Sequence, residues 1–223
     1  MIQNNYNKTT LGDIHDLKDL DNHIYTEEEI KDFSFINAVN SHPLSHKPSS
    51  MRSKLAYKEI MSNLNPTSKY ILPGTIVLFG YSNPKYASTL DYYDGTPLTL
   101  FFGITRTDNG KIREIGFNLH YFPPYARLRM LQSALNAFSP FFEKQFNEDI
   151  HKPNHMISYK HLKYIMRSNL KLAFGVREYI PTLRGQTYVI PTRLLSTAFY
   201  SEGHFSSATL SQIFKFWRQF RRF

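Results

Sequence analysis

The stretch ILPGTIVLFGYSNPKYASTLDYYDGTPLTLFFGITRTDNGKIREIGFNLHYFPPYARLRML, Ile71 to Leu131, decides how the rest of the chain is read. Pro73-Gly74 is a turn ahead of the β-rich run Thr75–Tyr81. Asn83-Pro84 opens a loop that carries Lys85, Tyr86, Asp91, Tyr92, Tyr93 and Asp94. Asp94-Gly95 turns the chain into a second β-rich run, Pro97–Ile104. Asp108-Asn109-Gly110 is a strong hairpin signal, since these residues tolerate the left-handed backbone that a tight turn requires. In the third run, Lys111–Tyr121, the apolar residues Ile112, Ile115, Phe117, Leu119 and Tyr121 mostly alternate. Strands this short and this closely spaced predict a small antiparallel β barrel of the Src-homology-three kind rather than a parallel α/β sheet.

Outward from this stretch the pattern turns helical. Pro123-Pro124 ends the third strand, and Pro124 suits the first turn of a helix. Leu128, Leu131, Leu135 and Phe138 recur at steps of three and four and mark the buried face, with Arg127 and Arg129 off that line. Ser139-Pro140 is expected to break the helix. Ser158–Lys171 reads as a further helix, followed by extended pieces at Val176–Ile180 and Thr187–Ile190, a short helix over Thr192–Tyr200, and an amphipathic helix over Thr209–Arg222. Before the central stretch, Thr26 with Glu27, Glu28 and Glu29 makes a capped helix start. Ser41–Ser50 has the prolines and serines of a linker, and Arg52–Leu64 reads as a helix stopped by Asn65-Pro66. The expected fold is therefore α+β: the small barrel, flanking helices and an extended N-terminal arm. Residues 1–50 form an acidic arm and linker. Residues 51–223 form one domain, with a barrel core at 71–122 and a basic helical part at 124–223.

Charge divides the chain in the same way. The net charge is +9. Residues 1–32 hold eight acids and three bases, so the remainder carries +14. From Ile150 onward twelve bases face only Glu178 and Glu202, a net of +10. A basic body of this kind suits a polyanion such as nucleic acid. Lys160, Lys163, Arg167 and Lys171 fall at i, i+3, i+7 and i+11 and so share one helix face, where a row of cations can follow a phosphate backbone. Lys215, Arg218, Arg221 and Arg222 cluster at the end of the last helix, where they either complement its dipole or bind phosphate. These eight residues are the expected nucleic-acid contacts.

The sequence offers no catalytic constellation. With no cysteine, thiolate catalysis, disulfides and cysteine zinc sites are excluded. His151 and His155 are four apart but Pro153 interrupts them, and no H-E-x-x-H, P-loop or G-x-S-x-G motif occurs. Asp91 and Asp94 read as turn residues and His120 as a satisfied structural histidine. No enzyme activity, metal or cofactor is expected. No apolar run reaches the ~18 residues of a membrane span. The first residues lack a signal-peptide layout, so a protein made in the cytoplasm is expected.

Four segments carry a family resemblance: Pro73–Tyr81 (PGTIVLFGY), Leu90–Leu100 (LDYYDGTPLTL), Gly116–Leu131 (GFNLHYFPPYARLRML) and the tail from Val176 (VREYIP) through Thr192–Arg222. In this order they resemble the DNA end protector proteins, small virion proteins of T-even-like tailed phages. The resemblance runs from Leu72 to Arg222 and is best in the third segment. It implies a non-enzymatic virion component of the neck, portal or tail, bound near the end of the packaged genome and shielding it from exonucleases. Its partners are then other virion proteins, in several copies of a symmetric assembly, and double-stranded DNA. The alternative is a tail or baseplate adaptor that binds virion proteins only. The barrel-shaped ribonuclease toxins share the opening strand order, but their catalytic arginine and threonine lack convincing counterparts here.

Overall fold

The computed structural model describes residues 43–47, 49–67, 71–89, 92–107, 109–147, 164, 170–205 and 212. Among the described residues there are five strands: β1 (Ile76–Tyr81), β2 (Leu98–Arg106), β3 (Ile112–Asn118), β4 (Val176–Tyr179) and β5 (Arg184–Val189). The helices are α1 (Ser49–Asn63), the one-turn α2 (Pro84–Ala87), α3 (Pro124–Asn147), α4 (Leu170–Gly175) and α5 (Leu195–Phe199). All neighbouring strands pair antiparallel in the order β4-β3-β2-β1-β5. The β2–β3 hairpin closes where expected. Gly110 takes φ +78° and its N–H donates to the Thr107 carbonyl at 2.8 Å.

The sheet is not closed into a barrel, which corrects the expected fold: β4 and β5 remain its edges, with no ladder between them among the described residues. It is strongly curled instead. β4 ends at Tyr179 and β5 begins at Arg184, so the segment between them must span from one edge to the other. Five residue steps reach at most ~17 Å, whereas the edges of a flat five-stranded sheet stand roughly 19 Å apart. The ring of Phe79 on β1 meets that of Tyr179 on β4 at 5.1 Å, although β2 and β3 lie between those strands. Arg184 on β5 likewise reaches Glu114 on β3 at 3.2 Å. Both contacts require a concave face.

Alternation along the strands divides the apolar residues between the two faces. Ile76, Leu78, Leu98, Leu100, Phe102, Ile115 and Phe117 point to the convex face, into the main core shared with α1, α3 and α5. Phe102 stacks on Phe138 of α3 at 3.9 Å. Ala56 and Ile60 seat α1, and Leu44, from the segment read as linker, joins the same core. Val77, Phe79, Tyr81, Tyr93 and Tyr179 form a second, smaller cluster on the concave face.

Two helical expectations change. α3 runs through Ser139-Pro140 without a break. The hydrogen bond that Pro140 forfeits is to the carbonyl four residues earlier, on Asn136, which is exposed, so water can replace it. Arg127, expected off the buried line of α3, is fully buried. The acidic residues 1–32 with the Thr26 helix start lie outside the described residues, as do nearly all of the Ser158–Lys171 helix and, apart from Gln212, the Thr209–Arg222 helix.

Candidate nucleic-acid interface

Asp94 lies in the connection between β1 and β2 and makes the expected local bond. Its Oδ1 accepts from the Thr96 N–H at 3.0 Å. Its Oδ2 accepts from Asn118 Nδ2 at 2.9 Å and lies 3.0 Å from His120 Nδ1. His120 Nε2 lies 2.9 Å from Ser201 Oγ. Asp, His and Ser thus stand in the order of a hydrolytic triad, yet His120 and Ser201 have no exposed surface. No substrate can reach that hydroxyl, so the row is a packing device. Burial pushes the His120 pKa down against the opposing pull of Asp94, which keeps the ring neutral. A neutral ring bearing its proton on Nδ1 donates to Asp94, and the one Ser201 hydroxyl proton is shared between Nε2 and the Ala198 carbonyl, 2.6 Å from Oγ.

Arg127 extends this network. Its Nε donates to the Phe122 carbonyl at 2.9 Å, and Nη1 donates to the carbonyls of Phe199 and of Ser201, the latter at 2.7 Å. Burial lowers its pKa to about 10, so it stays charged at neutral pH. One guanidinium thereby ties the start of α3 to the end of α5. Tyr57 of α1 joins at the other side by donating to Thr96 Oγ1 at 2.8 Å.

Beside the network, on the concave face, lies an open cleft of about 300 Å³ walled by Tyr81, Tyr93, Tyr121 and Tyr179 and flanked by Arg113 and Arg177. The walls are fixed. Tyr93 Oη donates to the Tyr81 carbonyl at 2.9 Å, Tyr81 Oη accepts from the Ile180 N–H at 3.1 Å, and the Tyr179 hydroxyl pairs with Thr99 Oγ1 at 3.3 Å. Tyr81 and Tyr179 meet edge to face at 5.2 Å. The Arg177 guanidinium lies 4.1 Å over the Tyr121 ring. Among the described residues neither Arg113 nor Arg177 has a carboxylate partner in an ion pair. Asp94 borders the cleft, but its carboxylate is spent on Thr96, Asn118 and His120.

The expected contacts Lys160, Lys163, Arg167, Lys215, Arg218, Arg221 and Arg222 lie outside the described residues, and Lys171 is placed in α4. Sequence reading missed the cleft arginines. One signal was present: in the extended piece Val176–Ile180, Arg177 and Tyr179 are two apart and so share a face.

The model of the family described as Phage T4 terminal DNA protecting protein matches residues 34–155, more than half of the 223. The chain belongs to this family. The terminal DNA protecting family is one of phage proteins that protect DNA ends, as the resemblance implied. The matched segment holds α1, β1 to β3 and α3, and with them Asp94, Arg113, His120 and Arg127. Arg177 and Tyr179 lie beyond it. No curated protein and no solved structure matches the chain. Among the described residues no helix is long and apolar enough to cross a membrane, and no group of three His, Asp or Glu side chains could hold a metal ion.

Proposed function

We propose that this protein is a virion component of the neck, portal or tail region that binds the end of the packaged double-stranded DNA and covers it. The observation that carries this reading is the family match over residues 34–155. The net of +10 from Ile150 onward supports direct contact with phosphate. In this reading Lys160, Lys163, Arg167, Lys171, Lys215, Arg218, Arg221 and Arg222 neutralise backbone phosphates, which fixes position without reading sequence. That suits a protein whose target is an end rather than a site. Covering is enough for protection, because an exonuclease must first engage the terminus. Other virion proteins, in several copies of a symmetric assembly, are the remaining partners.

The test is protection of linear DNA from an exonuclease as salt is raised. Protection is expected at low salt, with affinity falling steeply between about 50 and 200 mM, because each neutralised phosphate releases counterions. Absence of protection at low salt, or protection indifferent to salt, would contradict direct DNA binding.

A further inference from the structure

We infer that the concave cleft takes a single unpaired nucleotide from the DNA end, its base against the tyrosine wall and its phosphate at Arg113 and Arg177. This rests on the end-binding reading above and supplies its recognition step.

Size sets the first limit. A cleft of about 300 Å³ is at the small end of ligand pockets. It cannot admit a duplex, whose major groove alone is ~12 Å wide. One nucleotide is the unit of DNA that a pocket of this class can take. Chemistry sets the second. Aromatic rings receive any base without sequence preference. Guanidinium groups outside any ion pair with a carboxylate offer paired N–H donors that match phosphate oxygens. Arg177 is held over Tyr121 and donates from Nη1 to the Val176 carbonyl at 2.7 Å, and Arg113 Nη1 donates to the Ile112 carbonyl at 3.0 Å, so both guanidinium groups are positioned before the ligand arrives and meet it with their other N–H groups. The bound tyrosine hydroxyls likewise leave the wall nothing to reorganise.

An end and the middle of a duplex then differ in what it costs to fill the cleft. An internal nucleotide must break two stacking contacts and its pairing to leave the helix, a blunt-end one breaks one stack and its pairing, and an overhanging one breaks one stack only. A pocket for one extracted nucleotide therefore selects ends on energetic grounds, whatever their sequence. Two carboxylates among the described lining residues oppose the phosphate: the exposed Glu178 at the rim, and the buried Asp94, whose hydrogen bonds hold it in place but leave its charge.

The experiment uses the full chain and four duplexes of equal length. One has both ends capped by hairpins, one is blunt, one carries a one-nucleotide overhang, and one carries the same overhang without its base. The expected order of affinity is overhang first, then blunt, then capped, with the abasic overhang about tenfold weaker than the intact one, as loss of one base–aromatic stack requires. Arg113→Ala with Arg177→Ala should abolish the preference for the overhang over the capped duplex while leaving capped binding unchanged. Glu178→Gln, a conservative change at an exposed position, should tighten overhang binding only. Equal affinity of wild type for intact and abasic overhangs would overturn the cleft assignment even if ends are still preferred over capped DNA. Equal affinity for open and capped duplexes would instead bring down the end-binding reading, and the cleft assignment with it. Titration with a free deoxynucleoside monophosphate separates the sources of the ligand: chemical shifts confined to the cleft lining, at Tyr81, Tyr93, Tyr121, Tyr179, Arg113 and Arg177, are expected, and shifts elsewhere count against the cleft.

Discussion

Four residues from distant parts of the chain, Asp94, His120, Arg127 and Ser201, meet without exposed surface on His120, Arg127 or Ser201, and the hydrogen bonds that join them are a condition of folding. Because burial lowers the His120 pKa, the folded protein refuses a proton that the unfolded chain accepts below the ordinary value of 6.5. The stability this contributes is present above pH 6.5 and declines as pH falls below it toward the folded value. Urea midpoints should therefore drop between pH 7.5 and 5.5 in the wild type; His120→Asn should flatten the dependence, and a flat wild-type profile would refute it. Arg127→Met keeps the bulk but strands buried carbonyls of Phe122, Phe199 and Ser201. A loss of about 3 kcal/mol or more is expected in the same measurement. The local half of this network was legible, since an aspartate before glycine announces its own turn and a lone histidine after a strand reads as structural. The other half was not: His120 finds Ser201 at a separation of 81 residues and Arg127 finds the Ser201 carbonyl at 74. No local pattern marks an arginine beside a leucine stripe as buried, because its partners are backbone carbonyls of a different element.

At the scale of strands and helices, Gly116 shows how the hairpin constrains sequence. A Cβ there would stand 2.2 Å from Thr99 Cγ2 across the β2–β3 pair. Gly116→Ala should cost about 1–3 kcal/mol by overpacking, and Thr99→Ser, which removes that methyl and keeps the hydroxyl used by Tyr179, should recover much of it. Additive losses in the double mutant would disprove the steric account. The element boundaries were largely legible: β1 and β4 each differ from the expectation by one residue at one end, because alternation and turn residues act locally. α3 was the exception. Proline is a real penalty, but the carbonyl that loses its donor belongs to the exposed Asn136, and that exposure is a property of the packed helix rather than of the Ser-Pro pair. Strand-by-strand patterning also could not decide between barrel and open sheet, since closure depends on whether the edge strands exchange hydrogen bonds, a property of no single strand.

Over the whole molecule, sign of charge and shape are arranged separately. The acidic first 32 residues and the basic remainder were visible in the sequence, and the expectation of a polyanion partner was drawn from them. The concave face was not, because curl arises from strand register and link length together. If the basic row contacts DNA, replacing Lys160, Lys163, Arg167 and Lys171 with glutamine should reduce the slope of log affinity against log salt by roughly 3 to 4, near 0.9 for each phosphate no longer neutralised. An unchanged slope would remove those residues from the interface. The curl has one more consequence. Tyr179 and Arg184 sit on opposite margins of the sheet, yet the few residues between them act as a clasp, with the Ile180 amide fastened to the Tyr81 hydroxyl. A margin that loosens drags its opposite with it. Native-state hydrogen exchange should give the amides of β4 and β5 the same opening free energy, and distinct values would show that the clasp does not hold. The sheet, like a fastened cuff, is expected to have no loose end from which to unravel.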